Sequence, residues 1–259
     1  MQHRIPQSRS SIGPPPAICT FQQRRPRSIQ ERRSTMAEGV PRKQSSLMDL
    51  VDFEALEKQI RGYDEQRERV IKRSRDIQKA AKQAIFSLHR GENDQAAARL
   101  QQAEKAAEEL LPVIKESPGL RYGSFSNAME EYAEAVVFKG YLEEGRLPPS
   151  SSVQYVETEE YLGGVLDFTG ELNRYAILRA TKRDVVAVQQ AKDLVESIFF
   201  AFIQFDLRNG SLRKKYDALK YCLRKLENTL YELSLTAAGL TSKPEDIPEP
   251  QADGAMQDE

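Results

Sequence analysis

From Leu212 to Leu233 the sequence sets Leu212, Tyr216, Leu219, Leu223, Leu226, Leu230 and Leu233 in alternating steps of four and three. Only one continuous helix brings that spacing onto a single side, as a narrow seam of the coiled-coil kind. A seam this long must be covered, so the fold has to supply other helices against it. An intramolecular cover is the first expectation and an oligomer contact the second. Ser211 stands where an N-cap belongs.

Helical spacing recurs upstream. Val70, Ile77, Ala81, Ala84 and Leu88 predict a first helix from Ser46 to Arg90, stopped by Gly91 and Asn93. An Ala-rich stretch from Asp94 to Lys115 ends at Pro118-Gly119. A third helix is expected over Ser126 to Glu144, before GRLPPSSS. A fourth runs from near Thr158 to about Ala180, with Glu159 and Glu160 at its positive end. The fifth covers Asp184 to Leu207, with Asp184 as its cap. No stretch alternates with the period of a strand. The expected fold class is all-α, a bundle of about seven long helices over residues 46–240.

Outside that span the character changes. Residues 1–45 are rich in Arg, Pro and Ser, with seven arginines and a single acid before Met36. This composition suits a disordered tail or an organelle transit segment. Residues 241–259 read as a disordered acidic tail. The cysteines, Cys19 and Cys222, form no metal-ligand spacing and no disulfide framework, so a reducing compartment, cytoplasmic or nuclear, is the default. The histidines are only His3 and His89, which argues against His-rich metal sites and histidine-dependent acid–base chemistry. The net charge of -1 gives no global basic field, so any nucleic-acid surface must be local.

The acids carry more information. Glu131 and Glu134 lie one helical turn apart and lead into Ala135-Val136-Val137-Phe138. Asp167 and Glu171 share a face of a helix that is apolar nearly all round, with Leu162, Val165, Leu166, Phe168 and Leu172 about them. Buried acids must be paired, protonated or bound to a cation. Gly163, Gly164 and Gly170 each weaken that helix by about 1 kcal/mol relative to Ala, which points to another backbone in close approach. Four oxygen donors without histidine suit a hard cation, Mg²⁺ or Mn²⁺, and a di-iron bundle would require Glu-x-x-His pairs. Salt bridging is the competing use of the same acids, with Arg174 in reach of Glu171.

A basic stripe, Lys72, Arg75, Lys79 and Lys82, follows the first helix at steps of three and four. It is either a track for nucleic-acid phosphates or a solvated face mixed with Asp64, Glu65, Glu68 and Asp76. A second cluster holds Arg208, Arg213, Lys214, Lys215 and Lys220, with Tyr216 and Tyr221 between them. Tyrosines can stack on bases, though Tyr216 falls on the apolar seam.

EEYAEAVVF (130–138), EEYLGGVLDFTGELNR (159–174) and GSLRKKYDALKY (210–221) together resemble the translin family over roughly residues 46–240. DFTGEL and the paired glutamates are similar to its translin-associated factor X (TRAX) branch. LRNGSLRKKYDALKY is closer to translin itself. The resemblance implies an all-α fold of about seven helices, assembly into octameric shells with a translin-type paralogue or with itself, and RNA, or single-stranded DNA, as partner. It further implies a Mg²⁺-dependent endoribonuclease in which Glu131, Glu134, Asp167 and Glu171 hold the cation. Water is the expected nucleophile, no histidine being placed as base. It carries over no RNA-contacting residue upstream of Glu131. The rival expectations are a translin-like nucleic-acid-binding subunit without catalysis, and a helical scaffold without a nucleic-acid role.

Overall fold

The computed structural model describes residues 48–239. The tails expected at 1–45 and 241–259 lie outside the described residues. The chain divides into two units after Phe53. Of the first, only 48–53 are described, and the account below concerns the second.

The elements are α1 (Leu50–His89), α2 (Asn93–Glu116), a 3₁₀ turn at Pro118–Arg121, α3 (Ser124–Glu144), a 3₁₀ turn at Ser150–Ser152, α4 (Thr158–Thr181), α5 (Val185–Ile203) and α6 (Ser211–Ala237). The fold is all-α, with six α-helices and no strand among the described residues. None of these helices is long and apolar enough to cross a membrane.

Local chemistry sets the ends. Asp184 caps α5, accepting from Ala187 N at 3.1 Å. That helix stops at Ile203, short of the expected Leu207, because tight turns follow: Phe205 N donates to Phe202 O and Leu207 N to Phe205 O. The cap of α6 is Gly210, and Ser211 is already helical, with no side-chain capping bond. This corrects the expectation for Ser211. At α4, Glu157 and Glu160 form a reciprocal capping box. Glu160 is therefore not simply a charge facing the dipole. It is 2% exposed and takes Arg121 Nε at 3.0 Å and Nη2 at 2.5 Å, while Nη2 also reaches Tyr155 O.

The helix seam finds its cover within the chain. Leu219 and Leu226 are buried, and Leu212, Tyr216, Leu223, Leu230 and Leu233 pack half-buried against the core. The covering helices are α4 and α5. Tyr216 stacks on Phe199 at 5.6 Å and Phe202 at 5.9 Å, so it belongs to the core and not to a base-stacking surface. All five apolar positions expected of α1, from Val70 to Leu88, are buried. Residues 54–65 of the same helix are exposed on every side.

Candidate metal centre and nucleic-acid cleft

The site begins with a close helix approach. A Cβ on Gly164 would stand 2.7 Å from Ala133 Cβ and 2.8 Å from both Glu130 O and Glu134 N. A Cβ on Gly163 would stand 2.7 Å from Glu130 Cδ. The two glycines thus seat α4 directly on the turn of α3 that carries the glutamates, as expected from their cost to the helix. Gly170 has open space about it, so the same explanation does not extend there. One and two turns beyond Gly163, α4 delivers Asp167 and Glu171 beside that turn of α3. Phe138, Phe168 and Tyr141 fill the layer behind, with ring centroids 6.1 and 5.7 Å apart.

The four expected acids enter one electrostatic field. Burial pushes the Glu134 carboxyl up to about 8, and the negative charges of Glu131, Asp167 and Glu171 add to it against the pull of Lys215. Glu134 is 8% exposed, and no hydrogen bond or ion pair to it is found among the described residues. Burial also raises Glu131, outweighing Lys82 and Gln78, which hold it down. Glu171 moves the other way: its hydrogen bond with His89 outweighs burial and lowers it.

Three residues not expected in the site are found there. His89 Nε2 lies 2.5 Å from Glu171 Oε2, with its ring 4.7 Å from Phe138. No histidine was expected to be placed as base, and the sequence reading did not foresee one bonded to an acid of the site. The low histidine count limits how many there are, not where the end of α1 delivers one. Lys215 was expected on a basic nucleic-acid surface. Instead its Nζ donates to Glu130 Oε2 at 2.5 Å and to Asp167 Oδ2. Burial alone would lower this ammonium, but the bonds to Asp167 and Glu130 outweigh it and raise it. Glu130 is the third, one residue before the expected pair. Arg174 reaches Glu171 at 3.6 Å, as its spacing suggested, and Lys82 reaches Glu131 at 3.5 Å.

Among the described residues, no three His, Cys, Asp or Glu side chains already converge as a ligand set for a metal ion. The chemistry of the donors nevertheless fits a hard cation. Glu134 is a largely buried residue whose carboxyl takes no hydrogen bond from the described residues, in the field of three other carboxyls. Burial and that field favour its neutral form, or a positive charge beside it. The ammonium of Lys215 is such a charge at two neighbouring acids.

A cleft of about 730 Å³ opens along α1 and the start of α2, lined among others by Arg75, Lys79, Lys82, Phe86, Arg90 and Arg99. Three members of the expected stripe share it. Lys72, one turn earlier, is exposed and outside the lining. Arg90 lies over the exposed Phe86 ring, 5.5 Å from its centroid. Lys82 joins cleft to acids, because it lines the one and pairs with Glu131 in the other. In the second basic cluster Arg213 is tied to Asp217 at 3.1 Å. Only Lys215 of that cluster reaches the acids.

Comparison with known proteins agrees with this architecture. The model of the translin family matches residues 65–237. A translin of Gallus gallus is 36% identical over 81 residues, 31% of this chain and 35% of that protein. The chain thus spans about a third of the length of that relative. The translin-associated protein X homologue of Schizosaccharomyces pombe is 24% identical over 192 residues, covering 67% of this chain and 83% of its own. Among solved structures, apo-NeC3PO superposes with a TM-score of 0.66 at 24% identity, over 72% of this chain and 99% of that one. AfC3PO in complex with duplex RNA gives 0.61 at 23% identity, over 72% and 98%. The chain belongs to the translin family, and its resemblance to the translin-associated X proteins runs over most of its length.

Proposed function

We propose that this chain is a subunit of a translin/TRAX-type assembly acting on RNA, and that it carries a Mg²⁺-dependent endoribonuclease centre at the α3–α4 contact. The observation that carries the proposal is Glu134. A largely buried carboxyl that takes no hydrogen bond from the described residues, in the field of Glu131, Asp167 and Glu171, fits a cation-holding role. The structure of a relative of the same fold with duplex RNA, and the family shared with the X proteins, support RNA as the partner.

In this reading Glu131, Glu134, Asp167 and Glu171 hold the ion, Mn²⁺ serving in place of Mg²⁺. Bound there, a divalent cation supplies a Lewis acid for a phosphoryl oxygen and lowers the pKa of water. The remaining work falls to the chain. Arg75, Lys79 and Lys82 draw phosphates along the cleft toward the acids. His89 fixes the orientation of Glu171 through its Nε2 and holds that carboxylate ionised. The closely seated α3 and α4 keep the acids on a rigid pair of helices.

Cleavage of a labelled single-stranded RNA by the purified chain tests this, alone and with a translin-type partner, in Mg²⁺ and in EDTA, beside Asp167→Asn. Metal-dependent cutting that the variant loses is the expected result. One observation favours a second reading, a nucleic-acid-binding subunit without catalysis: Lys215 already bonds Asp167 and Glu130, and His89 bonds Glu171. RNA binding without Mg²⁺-dependent cleavage, even with the partner present, would establish it.

A further inference from the structure

Among the described residues, Lys215 is the cation whose ammonium reaches from α6 to both α3 and α4 in this site, joining Glu130 Oε2 at 2.5 Å and Asp167 Oδ2. It is not a surface pair of the usual weak kind. The lysine side chain is 26% exposed, Glu130 20% and Asp167 36%. The stem is held by its helix, since α6 packs on α4 and the neighbouring turn is tied down where Cys222 Sγ donates to Thr169 O at 3.0 Å. A lysine ammonium is a compact point charge with three donors. Here two of them are spent on carboxylates, one of which is an acid read above as a ligand.

We propose that Lys215 is a built-in counter-ion that competes with the divalent cation for the acid cluster, and so sets its affinity for that cation. The inference rests on the reading of the acids as a cation site. A divalent ion drawn to Asp167 and Glu134 would meet a positive ammonium already hydrogen-bonded to Asp167. Both cannot share that carboxylate without like-charge repulsion. Loading therefore requires Lys215 to let go, and its flexible four-carbon stem allows this without moving α6. The released ammonium stays tethered beside the ion, where an RNA phosphate can take it up. Phosphate arrival and cation loading then favour one another, each by the same factor, as linkage requires.

The test is a Mn²⁺ titration of the full chain followed by electron paramagnetic resonance of the free ion, without RNA. Wild type, Lys215→Met, Lys215→Arg and Glu134→Gln are compared. Methionine keeps the apolar stem and removes the charge; arginine keeps the charge. Lys215→Met is expected to bind Mn²⁺ roughly tenfold more tightly or better, while Lys215→Arg stays near wild type and Glu134→Gln weakens binding. Equal or weaker binding by Lys215→Met overturns the inference and leaves the cation site standing. So does equal tightening by Lys215→Arg, which would make packing and not charge the cause. Absence of stoichiometric Mn²⁺ binding in wild type and Lys215→Met alike overturns both the inference and the cation site beneath it.

Discussion

Glu134→Gln replaces one oxygen by nitrogen, and its effect on stability follows from the position of that carboxyl. In the unfolded chain the group titrates near 4.5; in the folded protein burial, followed by Glu131, Asp167 and Glu171, pushes it up to about 8. The folded state therefore holds a proton that the unfolded state has released. Between these values the unfolded chain binds fewer protons, so stability falls as pH rises. The stability is complete below about pH 4.5 and is lost progressively up to about pH 8, above which the loss is constant. At 1.36 kcal/mol per pH unit the difference amounts to roughly 4–5 kcal/mol. Glutamine has no charge to desolvate, so the variant lacks this slope. The groups around Glu134 are the same in both proteins: Glu131 on α3, Asp167 and Glu171 on α4, Lys215 on α6, and His89 behind Glu171. The difference between wild type and variant therefore reports Glu134 together with its coupling to these charges.

The assay is urea unfolding of both proteins in EDTA from pH 5 to pH 9. The difference in unfolding free energy should grow with pH in favour of Glu134→Gln and level off near pH 8–9. Adding Mg²⁺ at pH 8.5 should restore the wild type and leave the variant nearly unchanged, because a ligand that binds the folded form stabilises it by mass action. Parallel stability curves across the whole range would refute the claim that Glu134 is a buried carboxyl without a partner.

Other consequences follow from neighbouring contacts. Gly164→Ala puts a methyl within 2.8 Å of α3 backbone and should cost roughly 1–3 kcal/mol by thermal unfolding. Gly170→Ala, facing open space, should instead stabilise by about 0.5–1 kcal/mol. Arg121→Met leaves the buried Glu160 without its cation and should destabilise by roughly 3–5 kcal/mol, an effect that Glu160→Gln in the same chain should partly relieve. Charge reversal at Lys79 and Lys82 should weaken RNA binding, with a shallower dependence of log K on log salt. Reversal at Lys72, outside the cleft, should do less, and equal effects at all three would dissolve the cleft into a general basic face.

What the sequence made legible is what helical periodicity and local spacing encode. The buried face of α1 from Val70 to Leu88 and the seam of α6 repeat with the helix, so a reader of the sequence can assign them. The glycine pair of α4 was legible for a different reason. Gly163 and Gly164 are costly in a helix interior, and the cost is explained by the backbone of α3 lying against them. The same reasoning fails at Gly170, because cost alone does not tell whether a neighbour is present. The pairings Glu131/Glu134 and Asp167/Glu171 were readable because each is one turn along a single helix.

Partner choice across the fold was not readable. Lys215 and Asp167 are 48 residues apart, and His89 and Glu171 are 82 apart. Neither distance leaves a trace in local pattern. A lysine in GSLRKKYDALKY looks like its basic neighbours, and only the seating of α6 on α4 separates Lys215 from Lys214. Glu130 was missed for a narrower reason: one residue from Glu131 is about 100° around the helix, so it lies off the face defined by Glu131 and Glu134. That turn in angle has a chemical consequence. Glu130 takes the lysine, Glu171 takes the histidine, Glu131 takes Lys82, and Glu134, deepest of the acids of α3, is left with none. A helix pair built only for stability would give each acid that it buries a partner, as Arg121 is given to Glu160 at the start of α4, since a buried charge is costly. Among Glu130, Glu131, Glu134 and Glu171 the bonded partners go to the three shallower acids, and Glu134 has none among the described residues. That distribution opposes folding wherever Glu134 is ionised, and the cation site proposed above would account for it.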